Sequence, residues 1–366
     1  VDVAADMGIY RKNNKNDTRV DPWTRDRNRK PGGKMHIKHQ LLSRFAILAI
    51  IIACFVTEGA AQDKIKLDYS SVDASNAVWY TAQEVGFFKR NGLDSELIFI
   101  PSTTTAVASI IAGEVDVGNA SGGGVASAAA GGANLVMVAC MLNTLPYELV
   151  VQESIRTAED LRGKSVGISR IGSASDIAAR ALIKGLGLEP VKDVPILQVG
   201  GAPERAAAFR GGRIAGFPSP PGIIQLAQGM PHRVLISTAD FKKRFDFPFI
   251  CATTTKPFLS RHRETVKRVI MSLIEATHFF KTRKEESKRI LAKYNRQNNP
   301  AYLESAYVAV AKLYDRVPLV TRSGMEVQIK EALARKPGTT LRVEDIVDDS
   351  LVRELEKSGF IDKVYK

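Results

Sequence analysis

The chain has 366 residues, 45% of them hydrophobic, with 28 glycines and 16 prolines. That suits two cored lobes with many short turns and excludes a coiled coil or a disordered chain. A net charge of +13 invites a nucleic-acid reading. However, residues 1–61 hold 11 Lys/Arg against 6 Asp/Glu, and the remaining 41 against 33 are scattered as on a solvated surface. With no basic recognition helix, no nucleic-acid partner is expected.

Residues 1–34 are polar and charged and precede Met35, so they read as a disordered extension or a mis-assigned start. Residues 35–44 are basic, through His36, Lys38, His39 and Arg44; residues 45–56 are apolar, and 57–61 are small and polar. This is the layout of a cleaved signal peptide (35–61) with its cut after Ala61, which predicts a periplasmic protein. The alternatives are an uncleaved anchor and a lipid anchor at Cys54, in the run Ile51-Ile52-Ala53-Cys54; the apolar Phe55-Val56 argues against the latter. Past the cut only Cys140 and Cys251 remain, both in strand-like apolar runs and without a CxxC pair. They read as buried thiols, with a disulfide open only if their strands are neighbours.

Taken in order, the chain alternates short strands and helices. A strand at 64–69 leads to a helix over 77–90, then a strand at 95–100 and a helix at 103–112. Strands at 114–118 and 135–141 enclose a helix at 125–130, and strand 148–152 and helix 157–162 follow. The second series is strand 164–169, a helix from Ser175, strand 195–199, helix 203–210, strand 214–217, helix 222–227 and strand 233–237. Such alternation predicts an α/β architecture of parallel βαβ units. A last strand at 250–254 precedes helices at 266–282, 284–294, 301–314, 325–334 and 352–358, expected to pack on the first lobe.

Two stretches, 114–131 and 163–188, share one grammar. A short strand ends in a small Gly/Ser turn and opens into a helix, leaving N–H donors and the positive helix end for an anion or polar ligand. They are read as facing halves of one cleft. On the first half, Ser70, Ser71 and Asp73 follow the first strand, Thr103 and Thr104 open a helix, and Asn119, Ser121 and Gly122 precede another. Helix capping by Asp73 or Thr103 competes with ligand contact. On the second half stand Arg170, Gly172, Ser173 and Ser175; Arg170 either forks onto a carboxylate or sulfonate or pairs with Asp176. Glu204 serves the helix dipole or an amine, and Tyr147 and Phe217 either stack on a ligand or pack in the core.

Enzyme chemistry finds little support. The five histidines (His36, His39, His232, His262, His278) show no metal-ligand spacing, and GxSxG, Walker and dinucleotide motifs are absent. No catalytic residue, metal or cofactor is expected.

The runs Gly86-Phe87-Phe88-Lys89-Arg90-Asn91-Gly92-Leu93 and Ile111-Ala112-Gly113-Glu114-Val115-Asp116-Val117-Gly118 resemble the nitrate/sulfonate/taurine-type substrate-binding proteins of ABC importers. Relatives of thiamine-pyrimidine synthesis proteins belong to the same group. Asp160-Leu161-Arg162-Gly163-Lys164-Ser165-Val166-Gly167-Ile168 and Ser219-Pro220-Pro221 extend the likeness, which covers about residues 64–360. The resemblance implies a two-lobed, type II periplasmic-binding-protein fold, each lobe a mixed sheet flanked by helices, with a helical C-terminal tail. The expected parts are lobe 1 at 62–162, lobe 2 at 163–248 and a return to lobe 1 at 249–366. It further implies a monomeric receptor that delivers a small, anionic organic solute to a membrane permease. The alternatives are a pyrimidine-type biosynthetic enzyme, whose cysteine-rich patch this chain lacks, and a ligand sensor for a membrane receptor.

Overall fold

The computed structural model describes residues 62–223, 230–241 and 245–366. The expected extension (1–34) and signal peptide (35–61), with Cys54, lie outside the described residues, as does most of the helix expected at 222–227.

Strand β1 (Asp63–Tyr69) ends at a turn in which the Asp73 carboxylate accepts the Ser75 N–H and caps a short 3-10 turn. Helix α1 (Ala77–Val85) follows. The single helix expected over 77–90 is broken, because Gly86 adopts φ 80°, a left-handed conformation that ends α1 and restarts the chain as α2 (Phe87–Arg90). Then come β2 (Leu93–Phe99), α3 (Thr103–Ala112), β3 (Val117–Ala120), α4 (Gly122–Ala130) and β4 (Leu135–Thr144). Strand β3 starts later than expected, so Asn119 stands inside the strand and not in the loop after it.

The second series begins with β5 (Glu148–Gln152) and α5 (Ala158–Leu161), the latter closed by a Thr157–Asp160 capping box. It continues through β6 (Val166–Ile168), α6 (Ala174–Gly185), β7 (Ile196–Gln198), α7 (Ala202–Arg210), β8 (Gly216–Ser219) and β9 (His232–Ser237). Strand β10 (Asp246–Thr255) then returns to the first sheet, ahead of α8 (Lys256–Arg261) and α9 (Arg263–Thr282). Helices α10 (Lys284–Asn295), α11 (Pro300–Ala311), α12 (Arg322–Ala334), α13 (Ser350–Lys357) and α14 (Phe360–Val364) complete the chain.

Two five-stranded mixed sheets result, in the orders β2-β1-β3-β10-β4 and β7-β6-β8-β5-β9. Each places its second, first and third strands in parallel, then a strand that arrives from the other half and runs antiparallel, then a fourth. The chain changes sheets between Thr144 and Glu148 and again between Ser237 and Asp246. The first change thus precedes the expected boundary between 162 and 163, because β5 is already hydrogen-bonded to β8 and β9. Helices α9 and α10 pack on α1, and α12 packs on α4 and β10, so the C-terminal helices cover the first sheet.

Strands β4 and β10 are neighbours with Cys140 opposite Cys251, and a disulfide joins the two. Both cysteines are fully buried. None of the helices among the described residues is long and apolar enough to cross a membrane.

Candidate functional site

The loops at the carboxyl ends of the parallel strands meet between the two sheets, where open α/β sheets present ligands. They enclose a cavity of about 30 Å³. That is room for about two water molecules.

The first half contributes Ser70 and Ser71 after β1, Asn76 at the start of α1, and Ser102 and Thr103 at the start of α3. This wall is held from beneath by Asn119. Its side-chain amide donates to Ser70 Oγ (2.8 Å) and Asn76 Oδ1 (3.0 Å), and its Oδ1 accepts the Cys251 N–H (3.0 Å). The Asn119 N–H donates in turn to Asp68 Oδ1 (2.8 Å), while Asp68 Oδ2 has no hydrogen-bond partner. Burial pushes the Asp68 carboxyl up to about 7. Ser71 donates to the Asp73 carboxylate.

The second half contributes three hydroxyls from the turn into α6. Ser169, Ser173 and Ser175 form a triangle with Oγ–Oγ distances of 2.9 to 3.0 Å, and Ser175 Oγ also accepts the Ser169 N–H. The N-termini of α3, α6 and α7 all reach the cavity, each bringing the positive end of a helix. Tyr147 and Phe249 close one side, their rings edge-to-face at 5.8 Å.

Arg205 decides the electrostatics. It projects from the first turn of α7 into the cavity wall and is 2% exposed. Nη1 donates to the Gly200 carbonyl (3.1 Å) and Nη2 to the Pro218 carbonyl (3.4 Å). Its Nε is buried without a partner. No carboxylate lines the cavity, so a guanidinium and three helix N-termini face a space with no counter-charge in its wall. Burial pulls the guanidinium below its usual range, with Tyr147, Asp73 and Glu204 acting in the opposite direction, although an arginine remains charged in a protein. The arrangement has the chemistry of a small-anion site.

Of the candidates from sequence, Ser70, Ser71, Thr103, Tyr147, Ser173 and Ser175 line this cavity together. Asp73 and Asn119 lie one layer beneath, as cap and as tether. Ser121 donates to Thr103 Oγ1 at 3.5 Å, and Thr104 reaches across to the Ile171 carbonyl at 3.4 Å. Gly122 turns the other way, against Met325 and Pro248.

The structure does not bring Arg170, Gly172, Glu204 or Phe217 to the cavity. Arg170 and Glu204 are exposed. Asp176, the alternative partner of Arg170, pairs with Arg180 (2.8 Å) and accepts the Gly172 N–H. Phe217 is buried edge-to-face against Phe209. The reading from sequence missed Asn76, Ser102, Ser169, Gly201, Ala202, Phe249 and, above all, Arg205. A signal for Arg205 exists: it shares the α7 stripe of Ala202, Ala206 and Phe209, an arginine on a face otherwise built for burial.

The profile of the NMT1/THI5-like family matches residues 74–287, more than half of the chain. The chain belongs to the NMT1/THI5-like family. A protein of Brucella abortus (strain 2308) that is named a putative binding protein is 25% identical over 271 residues, covering 69% of this chain and 79% of the relative. Among solved structures, the alkanesulfonate-binding protein of Xanthomonas axonopodis pv. citri, bound to MOPS, superposes with TM-score 0.66 at 17% identity. It covers 79% of this chain and 99% of its own. The periplasmic nitrate-binding protein of Synechocystis PCC 6803 gives TM-score 0.69 at 15% identity, over 81% and 88% of the two chains. The NMT1/THI5-like chain thus has the two-sheet fold of periplasmic binding proteins, as the resemblance in its motifs implied.

Proposed function

We propose that this protein is an extracytoplasmic solute receptor for an ABC importer, and that it captures a small organic anion, a sulfonate or carboxylate, between its two sheet-based lobes. The observation that carries this reading is the unpartnered Nε of buried Arg205 in a cavity wall without carboxylates. An anionic head would take that N–H, the Ser169–Ser173–Ser175 hydroxyls and the free N–H groups of α6 and α7. Family neighbours named for alkanesulfonate and nitrate support an anionic ligand.

The 30 Å³ cavity is smaller than any such solute. Binding therefore requires the halves to part at the two chain crossings and close again on the ligand, expelling water. In this reading the halves divide at the crossings near 144–148 and 237–246, a signal peptide ending at Ala61 directs export, and a monomer docks on the permease. No covalent step is needed.

Calorimetric titration with alkanesulfonates, aromatic carboxylates and nitrate tests the proposal. Saturable binding of a sulfonate or carboxylate, lost in Arg205→Gln, is the expected result; binding of neither class would refute it.

A further inference from the structure

A much larger cavity, of about 560 Å³, lies on the other side of the first crossing. Successive residues of an extended segment face opposite ways. Tyr147 accordingly lines the Arg205 cavity, while its neighbours Pro146 and Glu148 line this one. The volume falls within the range of about 300–1,000 Å³ typical of small-molecule sites. Both halves contribute: Pro221 and Gly222 from the second, Ser305 and Ala309 on α11 from the first.

The wall has a defined chemistry. Phe241 and Phe245 form an aromatic corner, with ring centroids 5.7 Å apart at 68°. The Glu148 carboxylate is half-buried and makes no hydrogen bond or ion pair among the described residues. Burial, with Asp240 beside it, pushes this carboxyl up, as befits an acid that lacks a cation. A second acid, Asp315, accepts from Asn143 Nδ2 at 2.9 Å. Among the described residues of the lining the one cation is Lys312, which is solvent-exposed. Negative charge, aromatic faces and an unpaired carboxylate together suit an organic cation, by ion pairing and by cation–π contact.

We propose that this cavity is a second ligand site, which takes a small organic ammonium ion whose charged group faces Glu148 and whose apolar body lies against Phe241 and Phe245. It is chemically opposite to the Arg205 cavity, and the inference does not depend on the ligand of that cavity. Because its walls come from both halves, a molecule bound here is thermodynamically linked to how the halves are set.

The test is calorimetric titration of the full chain with 2-phenylethylammonium, its neutral analogue 2-phenylethanol and the anion 3-phenylpropionate. Saturable binding of the ammonium is expected, with the alcohol weaker by about tenfold or more and the carboxylate silent. Glu148→Gln should weaken the ammonium by about tenfold, and Ala309→Trp, which fills the cavity from α11, should abolish binding. Absence of saturable binding by the wild type overturns the proposal, as does wild-type affinity in Ala309→Trp. Weakening in Ala309→Trp but not in Glu148→Gln overturns the assignment of the charge.

Discussion

Gly123 on α4 lies directly against Ile177 on α6, so closely that a Cβ at position 123 would overlap the isoleucine Cδ1. These residues belong to opposite halves of the molecule, so their contact bridges the two halves. A side chain at position 123 would have to displace that methyl, so the glycine matters here for the space it leaves.

Gly123→Val should therefore prop the halves apart. The fold is expected to persist, since each sheet is complete without the contact, but ligand affinity should fall by about tenfold, or about 1.4 kcal/mol. Ile177→Ala in the same chain should restore most of that loss, because it clears the space the valine needs. Small-angle scattering reads the separation and calorimetry the affinity; equal loss in single and double variants would contradict the account.

Asp68 predicts a dependence of stability on pH. Its carboxyl is held at about 7 by burial, against an ordinary value of 3.8, so between those values the folded protein binds more protons than the unfolded. The favourable contribution is complete below about pH 3.8 and is lost as pH rises through about 7. The neutral isostere Asp68→Asn keeps an acceptor for the Asn119 N–H and removes the charge. It should gain up to about 4 kcal/mol over the wild type at pH 8 and little at pH 4. Urea denaturation at the two pH values measures this difference; the same difference at both would refute it.

The Cys140–Cys251 disulfide joins two strands of the first sheet across a sequence separation of 111, a loop that contains the whole second sheet. Chain-entropy arguments give such a crosslink about 2–5 kcal/mol. A Cys140→Ala/Cys251→Ala double variant should lose stability on that scale while β4 and β10 remain paired. Its denaturation midpoint and circular dichroism check both halves of the statement.

Much of the architecture was legible because strand, Gly/Ser turn and helix recur with regular spacing, and each recurrence is a local pattern. The serines followed the same logic: Ser70, Ser173 and Ser175 sit where a strand end meets a helix start, and they reach the cavity. Sheet membership is not local. The apolar run of β5 fits either sheet, and only its partners β8 and β9 assign it, so the expected crossing came too late. Arg170 and Arg205 are distinguished by helical spacing and not by adjacent residues. Arg170 stands in an exposed turn, whereas the α7 stripe turns Arg205 inward and leaves the adjacent Glu204 in solvent. A contact such as Gly123 against Ile177 pairs two glycine- and alanine-rich helices far apart in the chain, and no local pattern marks it.

The most direct test of the central claim is calorimetric titration of the wild type and Arg205→Gln with a panel of alkanesulfonates, aromatic carboxylates and nitrate. At least one anion is expected to bind the wild type one-to-one. A loss in the variant of about 2–5 kcal/mol, or roughly thirtyfold or more, is also expected, with the fold retained by circular dichroism. An anion that binds the folded Arg205→Gln variant as tightly as the wild type would contradict the claim.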